Sequence, residues 1–422
     1  MTYDEAIEYI HGVSNFFCKP GLDRIRELCL GLGNPQDKLR FIHVTGTNGK
    51  GSVCAMLNSV LCAAGYKVGL YTSPFVKEFN ERMRVNGENI PNAHLARITE
   101  KVKSVAEKMA DSPTEFELIT AIAFEYFLEE NCQIVILEVG MGGRFDATNI
   151  IGAPMLSIIT GVAIDHTAFL GNTTEEIAGE KAGIIKERSV ALYGGEDPRA
   201  ETVIADECKK MQSLLCKTDY SKLKINFMNL EGTCFDYRGR HEVWLSLLGS
   251  YQPRNAAVVL DAIDILSGVG LTVSEEALRR GLGEARWPAR FEIIGKDPLI
   301  IFDGAHNPQG IDAAVGSIKE YFGKERVCVV SGVLRDKDFI HIASSLSQVA
   351  AVVYTLTPDS PRALGASEYA RVIGEWGTEA IPCPSVEAAL DLGKMYAREH
   401  NIPLICLGSL YTYLETTKIL GL

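Results

Sequence analysis

The chain has 422 residues, 46% hydrophobic and 23% charged, with 54 acidic against 42 basic side chains and a formal net charge of -12. That length exceeds the size at which one core keeps growing, so two packed domains are expected, and the composition excludes a disordered or collagen-like chain. The acidic balance argues against nucleic acid or an anionic membrane as a partner, since both reward clustered Lys and Arg, yet it leaves room for a local positive site that takes small polyanions.

The start, Met1-Thr2-Tyr3-Asp4-Glu5, carries acids where a secretory signal carries bases, and no apolar run reaches membrane-spanning length. The cytoplasm is the expected compartment. Ile7, Tyr9, Ile10, Val13 and Phe16 fall on one helical face. Phe41 to Val44 reads as a short buried strand that runs into Thr45-Gly46-Thr47-Asn48-Gly49-Lys50-Gly51-Ser52, and helical periodicity resumes from Val53 to Ala64. Val68 to Tyr71 is the next strand. Ser73 to Pro91 is a long polar stretch with no period of its own, and loops of that length usually have a task. Helices follow over about Ala93 to Met109 and Phe116 to Glu129, then the apolar strand Ile134 to Leu137 closes on Glu138. Met155 to Thr160 is another strand, and Thr173-x-x-Glu176 has capping-box spacing for the helix that carries Lys181. Lys224 to Leu248 alternates as antiparallel strands, expected at the sheet edge, and Asn255 to Leu266 is helical. A fresh strand–helix alternation begins after Trp287-Pro288-Ala289-Arg290: strands Leu299 to Phe302, Val327 to Val330, Val352 to Tyr354 and Leu404 to Leu407, and a helix from Ile311 to Tyr321. Both parts are therefore expected to be α/β with mostly parallel sheets, meeting near Gly295, with ligand crevices at the carboxyl ends of strands. The eleven cysteines are scattered, with no C-x-x-C pair, and read as reduced core thiols.

The segment Gly46-x-x-Gly49-Lys50-Gly51-Ser52, set between strand and helix, has the parts of a triphosphate site. Glycines let backbone N–H groups converge, the helix start adds positive potential, Lys50 neutralises charge and Ser52 can ligate magnesium. Val44 stands where the general motif has its first glycine, and Gly51 separates lysine from hydroxyl. On this segment alone a glycine-rich turn that merely starts a helix stays open. Glu138 sits at a strand end before Val139-Gly140-Met141-Gly142-Gly143-Arg144, a placement that suits a magnesium carboxylate or, equally, a salt-bridged glutamate. His166 after Asp165, and His306 in Asp303-Gly304-Ala305-His306-Asn307-Pro308, are further candidates that could also be structural. If the two sheets present their loops to each other, His306 faces the same interdomain crevice.

Taken together, these segments resemble the folylpolyglutamate synthase and dihydrofolate synthase family, a branch of the Mur ligase superfamily. The resemblance covers most of the chain. Besides the phosphate loop it rests on Glu138 to Asn149, on Asp165-His166 with Glu180-Lys181-Ala182-Gly183, on Tyr251-Gln252-Pro253-Arg254-Asn255-Ala256, on Arg290-Phe291-Glu292 and on Asp303 to Pro308. The loop's departures from the general motif are the family's own form. The resemblance implies a P-loop ATPase-type domain with folate-binding loops over residues 1–295 and a smaller, Rossmann-like glutamate-ligase domain over 296–422. It implies that Thr47, Asn48, Gly49, Lys50, Gly51 and Ser52 hold ATP, with Asn255 on the adenine and Arg290, Asp303 and His306 on ribose and phosphates. Two magnesium ions are implied, one on Ser52 and Glu138 and one on His166, supported by N6-carboxylysine formed from Lys181 and carbon dioxide. Thr72, Ser73, Pro74 and Arg82 border the implied folate site, and Asp336-Lys337-Asp338 matches a family pattern to which no chemistry is assigned.

The implied reaction adds L-glutamate to a reduced folate, and in some relatives to dihydropteroate, through an acyl phosphate, with Lys50, Lys181, His166 and His306 as the catalytic candidates. Ala147 stands where some relatives carry serine, which leans towards both activities. A Mur-type ligase acting on a cell-wall precursor is the nearest alternative, and a nucleotide-gated binding protein that makes no bond is the more distant one. The family resemblance suggests a monomer.

Overall fold

The computed structural model describes residues 1–13 and 21–422, so Phe16 lies outside it. The chain divides into two compact units, one of Met1–Lys222 with Asn255–Ala285 and one of Leu223–Arg254 with Arg286–Leu422.

The first unit holds an eight-stranded sheet. Its strands are β1 (Phe41–Thr45), β2 (Val68–Tyr71), β3 (Met83–Val85), β4 (Glu88–Asn89), β5 (Ile134–Glu138), β6 (Leu156–Ile159), β7 (Val190–Tyr193) and β8 (Leu214–Lys217), in the order β4-β3-β2-β5-β1-β6-β7-β8. Pairing is parallel from β2 through β8, and β3 and β4 add an antiparallel hairpin beside β2. Every residue of β1, β2, β5 and β6 is buried, which explains why each reads as a mostly apolar run instead of alternating. The winding reverses at β1: the chain leaves it for β2 on one side, then fills the other side with β6 to β8. Open α/β sheets hold ligands at the carboxyl ends of strands at such a reversal. The capping box read at Thr173 is present. Its hydroxyl accepts from Glu176 N at 3.2 Å, while the Glu176 carboxylate accepts from Thr173 N at 3.1 Å, opening the helix Thr174–Ala182.

The second unit holds two sheets. Strands β9 (Leu223–Asn229), β10 (Gly232–Tyr237) and β11 (Arg240–Leu245) are antiparallel in the order β11-β10-β9. A six-stranded sheet runs β12-β13-β17-β14-β15-β16, from β12 (Glu292–Lys296), β13 (Leu299–Asp303), β14 (Val327–Ser331), β15 (Ala350–Thr355), β16 (Glu379–Pro382) and β17 (Leu404–Leu407), parallel throughout except at β12.

Two expectations change. The antiparallel segment from Lys224 to Leu248 does form hairpins, but as a sheet of its own, and the edge expected for it belongs to β8, whose side chains are at least partly exposed. The boundary expected near Gly295 falls inside β12, where Lys296 pairs with Leu299, and the chain passes between units at Ala285–Arg286. Alternation reports that a segment pairs antiparallel, not which body its apolar face packs against. Among the described residues no helix is long and apolar enough to cross a membrane, and the cysteines are free.

Candidate functional site

The loop between β1 and the helix Lys50–Ala63 has Gly46 at φ 152° and Gly49 at φ 86°. A Cβ at Gly46 would lie 1.9 Å from Thr160 Oγ1, and one at Gly49 would lie 2.7 Å from Asn255 Oδ1, so only glycine lets the loop approach both neighbours. The loop is also tied down. Thr160 Oγ1 donates to Asn48 O at 2.7 Å, Thr47 N donates to Gly161 O at 2.9 Å, and Thr47 Oγ1 both donates to Ala163 O and accepts from Ala163 N at 3.0 Å. Lys50 curls back, its ammonium donating to Gly46 O at 2.8 Å and Thr47 O at 3.2 Å. Gly51 and the buried Ser52 follow in the first helical turn, whose positive dipole end favours an anion.

Glu138 closes β5 opposite Val44, beside the start of this loop, and its carboxylate accepts from Ser73 N at 3.1 Å. The buried Cys54 thiol, one turn into the helix, is pushed well above its usual range by burial first and then by Glu138, while Lys50 pulls it down, which places both charges near the same turn. The glycine-rich turn after Glu138 lies flat on the helix Thr174–Ala182. Thr45 Oγ1 donates to Gly142 O at 2.6 Å, Arg144 N donates to Glu180 O at 2.8 Å, and a Cβ at Gly143 would come within 2.8 Å of that same carbonyl. Lys181 on this helix is 3% exposed. Burial, then the Lys50 charge, brings its ammonium down to about 7, with Asp165 pulling the other way. A large share of this amine is therefore unprotonated near neutrality. His166, at φ 50°, opens the short helix Thr167–Leu170, with its imidazole half-exposed and 4.0 Å from the Asp165 carboxylate.

Among the described residues no three His, Cys, Asp or Glu side chains converge as a ready metal cage. The Ser52 hydroxyl and the buried Glu138 carboxylate beside the phosphate loop nevertheless suit magnesium, which keeps several waters and takes its remaining oxygens from phosphates.

Next to Glu138, Thr72 N donates to Arg82 O at 3.0 Å, and the Arg82 guanidinium lies 5.3 Å and 5.6 Å from the ring centres of Phe75 and Phe79. The Arg82 Nε is buried without a protein partner. Thr72, Ser73, Pro74 and Arg82 thus belong to one loop attached to the end of β5. Beneath the phosphate loop, the buried Asp146 accepts from Thr148 Oγ1 at 2.5 Å, which in turn stands 2.9 Å from His43 Nε2.

In the second unit, Asp303 ends β13 and is buried, accepting from Tyr251 OH at 2.7 Å, Phe291 N at 3.0 Å and Ala305 N at 2.8 Å. Burial raises its carboxyl, with the Arg290 charge and these donors opposing. Arg290 packs so closely that a Cβ at Gly304 would lie 2.7 Å from its Nη1. His306 Nδ1 is 2.8 Å from Gly304 O, which fixes that nitrogen as the protonated one. Arg290, Asp303 and His306 therefore form one cluster. Thr160, Asp165 and Tyr251 were not singled out as site residues. Thr160 carried a signal, a polar residue closing an apolar strand, whereas Tyr251 stands in the sequence only as the first residue of the segment that carries Asn255, and its bond to Asp303 gives it a role of its own.

The Mur ligase middle domain family matches residues 44–263, and the Mur ligase, glutamate ligase domain family matches residues 289–409. The dihydrofolate synthase/folylpolyglutamate synthase of Bacillus subtilis is 39% identical over 373 residues, covering 86% of each chain. The structure of Mycobacterium tuberculosis folylpolyglutamate synthase complexed with ADP and AMPPCP superimposes with a TM-score of 0.91 at 28% identity, covering 100% of this chain and 99% of that one. Escherichia coli FolC in complex with DHPP and ADP gives 0.89 at 32% identity, covering 100% and 98%.

Proposed function

The chain belongs to the folylpolyglutamate synthase and dihydrofolate synthase family of the Mur ligase superfamily, and from that premise we propose an ATP-dependent ligase that joins L-glutamate to a reduced folate, and also to dihydropteroate, through an acyl phosphate. The observation that carries this reading is the phosphate loop flanked by Glu138 on one side and the buried Lys181 amine on the other.

A carboxylate is a poor electrophile because its leaving group would be oxide. Transfer of the γ-phosphoryl group to the folate carboxylate makes a good leaving group, and the glutamate amine, once deprotonated, attacks the acyl carbon and expels phosphate. Lys50 and the loop amides at Asn48, Gly49 and Gly51 bind the β- and γ-phosphates and neutralise charge that builds there, while Thr47, whose own amide is given to Gly161 O, fixes the loop's course past the ATP. Asn255, held against Gly49, takes the adenine end. Arg290, Asp303 and His306 are the second unit's nucleotide contacts. Ser52 and Glu138 would hold one magnesium ion and His166 would ligate a second, and both would supply electrostatic screening of the triphosphate. Lys181 has a neutral amine near neutrality, and its nitrogen can add to carbon dioxide with loss of one proton to solvent, which would give the anionic N6-carboxylysine beside Lys50 and Asp165. The Thr72-Ser73-Pro74 turn and Arg82 receive the folate, and the enzyme works as a monomer.

The test is mass spectrometry of products after incubation with ATP, glutamate and either dihydropteroate or tetrahydrofolate, with a folded Lys50→Ala protein alongside. Glutamylated product from the wild type and none from Lys50→Ala is the expected result. Phosphate release with a uridine-linked peptide but with neither pteridine would replace the reading by a cell-wall ligase.

A further inference from the structure

Of the two carboxylates in the loop between β2 and β3, Glu78 and Glu81, the reaction uses neither, and only the second is buried. Glu81 is 7% exposed, and it points back into its own loop. Its Oε2 accepts from Val76 N at 3.0 Å, and its Oε1 accepts from Lys77 N at 3.2 Å and Glu78 N at 3.4 Å. Three successive backbone amides thus converge on one internal anion, the arrangement by which a chain segment cradles a negative charge. The Arg84 guanidinium stands 3.8 Å away on β3.

The consequence of that cradle is a fixed spacing. Phe75 precedes the first donor, Phe79 follows the last, and Arg82 comes one residue after Glu81; the two rings lie 6.0 Å apart at 61°, with the guanidinium against both. The near end of the loop is fixed separately, by Ser73 N on Glu138. Without the Glu81 acceptor the three amides at 76–78 would lose their shared partner, and the stretch from Phe75 to Arg82 would have to seek water instead.

We propose that Glu81 is a positioning residue for the pteridine-bearing substrate: its carboxylate folds residues 76–78 so that Phe75 and Arg82, backed by the buried Phe79, present one aromatic and cationic face to that substrate. This rests on the assignment of the loop to folate. Glu81 touches no phosphate-loop residue, so its effect belongs to one substrate only.

The experiment compares Glu81→Gln with wild type and with Glu88→Gln, an exposed carboxylate on the same hairpin. Glutamine keeps the length, but its NH₂ group would face amides that need an acceptor. Steady-state kinetics should show the KM for tetrahydrofolate raised about tenfold in Glu81→Gln, with the KM for ATP within twofold of wild type and Glu88→Gln unchanged. Amide hydrogen exchange at Val76, Lys77 and Glu78 should quicken at least tenfold in Glu81→Gln alone. Unchanged exchange there overturns the positioning role whatever the substrate is. Faster exchange with an unaltered tetrahydrofolate KM, or equal losses for ATP and tetrahydrofolate, overturns the link to the pteridine substrate. A wild type that glutamylates no pteridine condemns the folate assignment and, with it, that link, independently of the exchange result.

Discussion

His43 occupies the middle of β1 with no exposed surface, two residues before the phosphate loop begins. The Thr148 hydroxyl gives its proton to Asp146 at 2.5 Å, so it accepts from His43 Nε2, and the ring is neutral with Nδ1 bare and buried. Burial, with Lys186 adding to it, pushes this imidazole down to about 3. The sign follows from linkage: between about 3 and 6.5 the unfolded chain binds a proton that the folded chain refuses, so stability falls as pH drops through that window. By pH 5 this one group should cost about 2 kcal/mol. A His43→Gln protein, which keeps a donor for Thr148, should lose less stability between pH 7 and pH 5 than wild type in urea unfolding. Equal slopes would show that His43 does not carry the acid sensitivity. None of this was legible in the letters, where His43 is one more residue of an apolar run. Lys50, Ser52 and Glu138 were legible, because the strand–glycine–lysine spacing and a carboxylate closing an apolar strand are themselves statements of geometry.

At the scale of elements, the seam between the turn Val139–Arg144 and the helix Thr174–Ala182 sets where Lys181 stands. Gly183, just past that helix, has ordinary backbone angles, so its requirement is one of space: an added Cβ would lie 2.5 Å from Arg144 Cβ and 2.6 Å from Arg144 Cα. Backbone cannot rotate away as a side-chain tip can. Gly183→Ala should therefore cost about 1–3 kcal/mol by overpacking, and by prising helix from turn it should lower the ligation rate more than the affinity for ATP. Gly152→Ala, where nothing lies within 4 Å, is the control and should match wild type in both denaturant unfolding and turnover. A Gly183→Ala enzyme indistinguishable from that control would mean the seam is looser than its contacts state. Strands β1, β2, β5 and β6 were readable because burial on both faces leaves an apolar run. β8, β12 and β16 were not, since four or five residues of mixed exposure have no period to detect, while β7, Val-Ala-Leu-Tyr with three of four residues buried, has the same kind of apolar run and was passed over.

At the scale of the molecule, the first unit is assembled from two separate stretches of chain, and the intervening strands β9 to β11 group with the second unit. Leu248, after β11, is part of the second unit's core with Phe291, Ile301 and Val329, and Leu230 packs against it. A chain cut at Ala285 would keep these strands paired with one another and lose the core that Leu230 and Leu248 pack into, leaving apolar surface bare. A chain in which Leu223–Arg254 is replaced by a short Gly/Ser linker, ending at Ala285, would keep whole the two apolar clusters that run from Ile10 to Ile151 and from Ile159 to Cys208. It also retains Lys50, Glu138, Lys181 and Asn255. The linked form should be the more soluble of the two, should melt cooperatively by circular dichroism, and should still bind a nucleotide while making no amide. If residues 1–285 left intact prove as soluble and as cooperative as the linked form, β9 to β11 are at home with the first unit, and the division at Lys222 and Asn255 is wrong.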